Sequence, residues 1–74
     1  MQIQVKLIGL FKTGRFAEQA RTYPEESRVA EVVADLQLPR QHLGIVLING
    51  RHAEEDAVLA DGDELTLLPF VDGG

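Results

Sequence analysis

The first residues alternate. Ile3, Val5 and Leu7 fall on one face of an extended chain, and Gln2, Gln4 and Lys6 fall on the other. A period of two predicts a half-buried β-strand. Residues 11–18, FKTGRFAE, follow neither the strand nor the helix period and read as a loop, with Gly14 helping the turn. QARTY, residues 19–23, is a second strand candidate. It follows the first as a hairpin and is stopped by Pro24. The period then changes. Val29, Val32, Val33 and Leu36 recur at i, i+3, i+4 and i+7, one apolar stripe on a helix of about ten residues. Ser27 is the expected N-cap, and Glu25, Glu26 and Glu31 suit the positive end of the helix. Leu38-Pro39 is the expected stop, because the residue before proline avoids helical angles.

GIVLING, residues 44–50, is a short apolar run closed by Asn-Gly. Both residues of that pair tolerate positive φ, so Ile45–Ile48 reads as a strand, with a short return strand beginning at Arg51. EEDAVLA crosses over as a loop or single helical turn, DGD turns again, and ELTLLPF is the last strand. The order is strand, strand, helix, strand, short strand, strand. One helix must then cover one sheet. This predicts an α+β fold, a mixed sheet of four to five strands packed on one helix. With the first and last strands side by side at the sheet centre, it is the β-grasp arrangement of ubiquitin-like proteins. Residues 1–74 read as a single domain.

Composition narrows the chemistry. The chain has 74 residues and no cysteine, so disulfides and cysteine-ligated metal are excluded and stability must come from packing and backbone pairing. Its formal net charge is −5. Nucleic-acid binding normally needs a basic face, which scattered and outnumbered bases do not make, so no nucleic-acid partner is expected. Met1 leads into an apolar stretch with no basic region before it and far too few residues to span a bilayer. The expectation is a soluble cytoplasmic protein with no membrane partner.

The last residues carry the most specific signal. Asp61, Gly62, Asp63 and Glu64 lead into the apolar strand, Pro69 and Val71 stand near the end, and Gly73 and Gly74 close the chain. A Gly-Gly end is weak evidence alone, but it is stronger directly after a firmly patterned strand. The stretch DGDELTLLPFVDGG resembles the ending of the MoaD/ThiS family of ubiquitin-like sulfur carriers, to which the small subunit of molybdopterin synthase belongs. VLING before a hairpin is similar to that family's third strand. Leu67 and Leu68 stand where the molybdopterin-type pattern usually has two aromatics. Phe70 stands where a second proline is common, and Asp72 where a small residue is usual; these departures bear on the identity of the partner.

The resemblance implies a protein that is a co-substrate and not itself an enzyme. An E1-like adenylyltransferase of the MoeB/ThiF type would adenylate the carboxylate of Gly74, using its own ATP and Mg²⁺. A sulfur donor, such as a cysteine desulfurase or a sulfurtransferase, would convert it to a thiocarboxylate. A client, the molybdopterin synthase large subunit or thiazole synthase, would then take the sulfur. The resemblance thus implies molybdenum or tungsten cofactor biosynthesis or thiamine biosynthesis, and no cofactor held by this chain. Val71, Asp72 and Gly73 would form a flexible tail over residues 71–74. Physical reasons favour glycine there: without Cβ it lets the walls of a channel approach the backbone, and it leaves the final carbonyl open to attack. A ubiquitin-like modifier joined through Gly74 to target lysines is the reading of another class.

The last strand also suggests a docking surface. Leu65 and Leu67 share the side assigned to the core, which turns Leu68 and Phe70 outward. Ile8 breaks the polar alternation of the first strand on that same side. Ile8, Leu68 and Phe70 are therefore the expected partner-binding patch beside the tail. Three weaker signals yield less. GLFKTGRF has the glycine spacing of a phosphate-binding loop, but Arg15 and Phe16 replace its lysine and hydroxyl, so Lys12 and Arg15 read as a solvated loop or rim contacts. His42 and His52 lack a third ligand at useful spacing, and no metal site is expected. The acids of DGD are explained as turn chemistry.

Overall fold

The computed structural model describes residues 1–70. Its strands are β1 (Gln2–Leu7), β2 (Glu18–Thr22), β3 (Leu43–Ile48), β4 (Arg51–His52) and β5 (Glu64–Pro69), with a single α-helix among the described residues, α1 (Val29–Asp35), between β2 and β3. The sheet order is β2-β1-β5-β3-β4. β5 is central and runs parallel to β1 and antiparallel to β3. This is the expected β-grasp arrangement, with five strands.

The period-two pattern of β1 translates directly into burial. Ile3, Val5 and Leu7 are buried, as are Leu65 and Leu67 from β5. Val29, Val32 and Val33 of the helix join them in one core with Phe11, Leu38, Val46 and Leu59. Phe11 comes from the segment expected to be an irregular loop. Gly9–Lys12 is instead a turn of 3-10 helix that drops Phe11 into the core.

Both ends of the helix differ from expectation. The N-cap is Arg28, whose backbone N–H donates to Glu31 Oε1 at 3.1 Å. Ser27 is buried, and its hydroxyl donates to the Pro24 carbonyl at 2.7 Å, which closes the preceding turn. The first helical amides find partners in the distant segment that precedes β5: Val29 N–H donates to Ala57 O at 3.1 Å, and Ala30 N–H to Glu55 O at 2.8 Å. A crossover segment thus satisfies donors that a helix start leaves open.

At the other end the helix is seven residues long and stops before Pro39 is reached. Gln37 adopts φ 56°, Gln37 N–H donates to Ala34 O, and Leu38 N–H donates to Val33 O. This is a Schellman closure with a glutamine in the left-handed position. Arg15 supports it. Its Nε donates to Leu36 O at 3.1 Å and its Nη2 to Gln37 O at 3.0 Å. Arg15 is therefore a clasp on the helix C-terminus and not a free loop cation. Arg15→Ala should lower stability in a denaturant melt by about 1 kcal/mol, with Lys restoring only part, because an ammonium lacks the planar fork that meets two carbonyls.

The Asp-Gly-Asp-Glu motif fastens three parts of the sheet. Asp61 Oδ1 accepts from Gln2 N–H at 2.7 Å. Asp63 Oδ2 accepts from Ala60 N–H at 2.8 Å, and its Oδ1 from the Asn49 side-chain amide at 2.9 Å. Asn49 Oδ1 in turn accepts from Glu64 N–H. Gly62 takes φ 87°, which favours glycine. Asn49 and Gly50, at φ 53° and 80°, form the expected hairpin turn between β3 and β4. One turn therefore holds the start of β1, the β3–β4 hairpin and the start of β5 together.

Tyr23 adds a polar link between β2 and the helix. Its hydroxyl donates to Asp35 Oδ2 at 2.9 Å and accepts from Arg21 Nε at 3.2 Å. Burial, and then the bond to Asp35, push the phenol above its ordinary value near 10. The unfolded chain therefore ionises this tyrosine first. The stability tied to the neutral phenol is complete below about pH 10 and is lost as pH rises through the folded value. Tyr23→Phe should flatten the fall in stability above about pH 10, measured by denaturant melts across that range.

Candidate functional site

β5 alternates inward and outward residues to its end. Leu65 and Leu67 are fully buried and Pro69 is buried, while Leu68 is half-buried and Phe70 is 64% exposed. The expected directions of Leu68 and Phe70 are therefore observed, although Leu68 is partly covered. β1 lies against β5 on one side, and Ile8 N–H donates to Leu67 O at 3.1 Å. Ile8 is 42% exposed. On the other side β3 places Ile45 opposite Leu68. Ile45 is 40% exposed. With Gly44, Leu68, Pro69 and Phe70 it lines a shallow apolar groove of about 440 Å³.

Ile45 is an addition to the expected patch. The run GIVLI shows no alternation, so the face taken by each of its residues depends on the register with β5. That register is irregular between Leu43 and Ile45. The exposed Ile45 beside a buried Val46 becomes a signal only once the partner strand is known. Away from the apolar end, the same outward face turns polar. Lys6 Nζ stands 3.3 Å from Glu64 Oε2, and Gln4 Nε2 donates to Glu18 Oε2 at 2.8 Å. The apolar groove is thus confined to the end of the sheet where β5 finishes.

The expected tail residues Val71, Asp72, Gly73 and Gly74 lie outside the described residues. The last residue described, Phe70, is fixed by its backbone: its N–H donates to the His42 carbonyl. His42 and His52 belong to the turn before β3 and to β4 respectively. Among the described residues no three of His, Cys, Asp and Glu gather as a metal site would need. No helix among them is long and apolar enough to cross a membrane.

A five-stranded sheet with β1 and β5 parallel at its middle, one helix on its inner face, and an exposed apolar groove where β5 ends define a ubiquitin-like protein. The family model for the ThiS family matches residues 5–74, nearly the whole chain. The chain belongs to the ThiS family. Comparison with curated protein sequences finds no match.

Solved structures share the fold. One is described as a molybdopterin converting factor, subunit 1, from Pyrococcus furiosus. It matches with a TM-score of 0.77 at 23% identity, over 96% of this chain and 99% of that one. SAMP1 of Haloferax volcanii matches with a TM-score of 0.76 at 24% identity, over the full length of both chains. A complex of subunits 1 and 2 of the molybdopterin-converting factor of Helicobacter pylori contains a chain that matches with a TM-score of 0.67 at 23% identity, over the full length of both.

Proposed function

We propose that this protein is a sulfur carrier whose terminal Gly74 is activated by a partner and converted to a thiocarboxylate. The observation that carries the reading is the family match, which extends to residue 74 and so includes the Gly-Gly end. The apolar groove at the end of β5 supports it by offering a docking surface next to that end.

The chemistry is divided between this chain and its partners. An oxygen of the Gly74 carboxylate attacks the α-phosphorus of ATP in an E1-like adenylyltransferase. A P–O bond forms and pyrophosphate leaves. A sulfide-level sulfur nucleophile then attacks the carbonyl carbon, a C–S bond forms, and AMP departs with the electron pair of the broken C–O bond. The sulfur nucleophile comes from outside, since the chain has no cysteine. This chain contributes binding and delivery. Ile8, Ile45, Leu68 and Phe70 hold the partner's surface, and Gly74 is the residue delivered to its active site. ATP and Mg²⁺ are bound by that partner.

A large-subunit client of the molybdopterin-synthase kind is the proposed acceptor, as in the Helicobacter pylori complex of subunits 1 and 2. Thiazole synthesis is the nearest alternative client. The fold shared with SAMP1, described as a small archaeal modifier protein, keeps a second reading in place, a modifier joined through Gly74 to lysines. ATP–pyrophosphate exchange with an E1-like partner tests the common first step. Exchange that depends on this chain supports activation of Gly74. No exchange, with the two proteins shown to bind each other, would overturn it.

A further inference from the structure

The pairing of β3 with β5 skips one residue. Leu43 lies opposite Pro69 and Ile45 opposite Leu68, so Gly44 is an extra residue on β3 and forms a β-bulge. Gly44 does not take a left-handed φ, so the need for glycine here comes from close approach and not from backbone freedom. A Cβ at this position would stand 2.8 Å from Phe70 Cα, 2.8 Å from Phe70 N and 3.0 Å from the Pro69 carbonyl carbon. All three are backbone atoms and cannot swing aside. The Phe70 N–H is also held by the His42 carbonyl. The Phe70 ring itself is mostly exposed, so its own contacts do little to fix it. Its place is set through its backbone, at the atoms against which Gly44 lies.

We infer that Gly44 is a positioning residue for docking: its missing side chain lets β3 close on the end of β5 and so sets the separation of Phe70 from Ile45, the width of the apolar groove. The inference rests on the reading that a partner docks on this groove, and it is carried by the five residues that line it, Gly44, Ile45, Leu68, Pro69 and Phe70. Ordinary contact begins near 3.4 Å, so an added methyl group must push the Phe70 backbone away by several tenths of an ångström. A surface that packs on Ile45 and Leu68 would then meet the ring out of place. A gap of about 0.5–1 Å forfeits roughly a quarter to a half of a dispersion contact. Removing the whole ring is expected to cost about 30-fold in affinity, so misplacing it should cost about two- to sixfold.

The test is a double-mutant cycle of Gly44→Ala and Phe70→Ala, read by calorimetric titration against an E1-like adenylyltransferase of the MoeB/ThiF type, well below each variant's own melting midpoint. Gly44→Ala should weaken binding about two- to sixfold when Phe70 is present. In the Phe70→Ala background it should cost less than about 1.5-fold, because no ring is left to misplace. A general loss of structure would act in both backgrounds alike. Should Gly44→Ala not fold, deletion of Gly44 takes its place in the same cycle, since it removes the bulge while leaving Leu43 opposite Pro69 and Ile45 opposite Leu68. An equal loss in both backgrounds, or no loss in either, overturns the inference while the docking reading stands. Normal affinity in Phe70→Ala alone overturns the docking reading itself.

Discussion

Deleting Gly74 is expected to abolish ATP–pyrophosphate exchange while leaving the fold and docking nearly unchanged. The carboxylate would then reside on Gly73, one residue short of the bound nucleotide. An extended residue covers about 3.3–3.6 Å, and reacting atoms must approach to about 3–3.5 Å. The deficit is as large as the whole reaction distance. Folding should survive because the core is formed by residues between Ile3 and Leu67. Docking should survive because Ile8, Ile45, Leu68 and Phe70 are untouched. Exchange measures the first quantity, thermal melting the second, and titration against the partner the third. Full exchange by the shortened chain would show that Gly74 is not the chemical site.

Phe70→Ala is expected to weaken partner binding by about 2 kcal/mol, roughly 30-fold in Kd, and to change folding stability by less than about 0.5 kcal/mol. The asymmetry follows from its surroundings. Phe70 is 64% exposed in the free protein, so truncation removes little that the fold uses. In a complex the same ring would be covered together with Ile45 and Leu68, with which it lines the groove. Calorimetric titration and denaturant melts measure the two effects separately. A large loss of stability with normal affinity would place Phe70 in the fold's support and not in the docking surface.

Legibility in the sequence followed periodicity. β1 and β5 alternate cleanly, and their buried residues can be read from the chain; so can the helix stripe through Val29, Val32 and Val33. The Asn49-Gly50 hairpin follows from the φ values those two residues tolerate. The hidden features depend on distant partners. The helix ends at Asp35 because a Schellman closure with Gln37 in the left-handed position follows it, and Arg15, far away in sequence, binds the Leu36 and Gln37 carbonyls. Nothing local distinguishes that glutamine from a helical one, whereas Pro39 is a conspicuous stop. Ser27 has the composition of an N-cap, yet burial directs its hydroxyl back to Pro24. Phe11 joins the core through a 3-10 turn that has no period to detect.

The site divides in the same way. Ile8, Leu68 and Phe70 could be placed on one outer face from alternation alone, and the structure places them there. Ile45 and Gly44 could not be placed, because a bulge changes the register and breaks the parity on which such counting depends. Part of the apolar groove thus comes from a feature that exists only between two strands.

If Gly74 is the sulfur-bearing end of a carrier, activation must change the mass of the chain. The most direct measurement is the intact mass of the protein after incubation with an E1-like partner, Mg²⁺-ATP and sulfide. A single new species is expected, heavier by the difference between one sulfur and one oxygen, dependent on ATP and lost when Gly74 is deleted. An unchanged mass in the presence of a partner that binds the chain, or a gain equal to a whole second protein without any sulfur-bearing form, would contradict it.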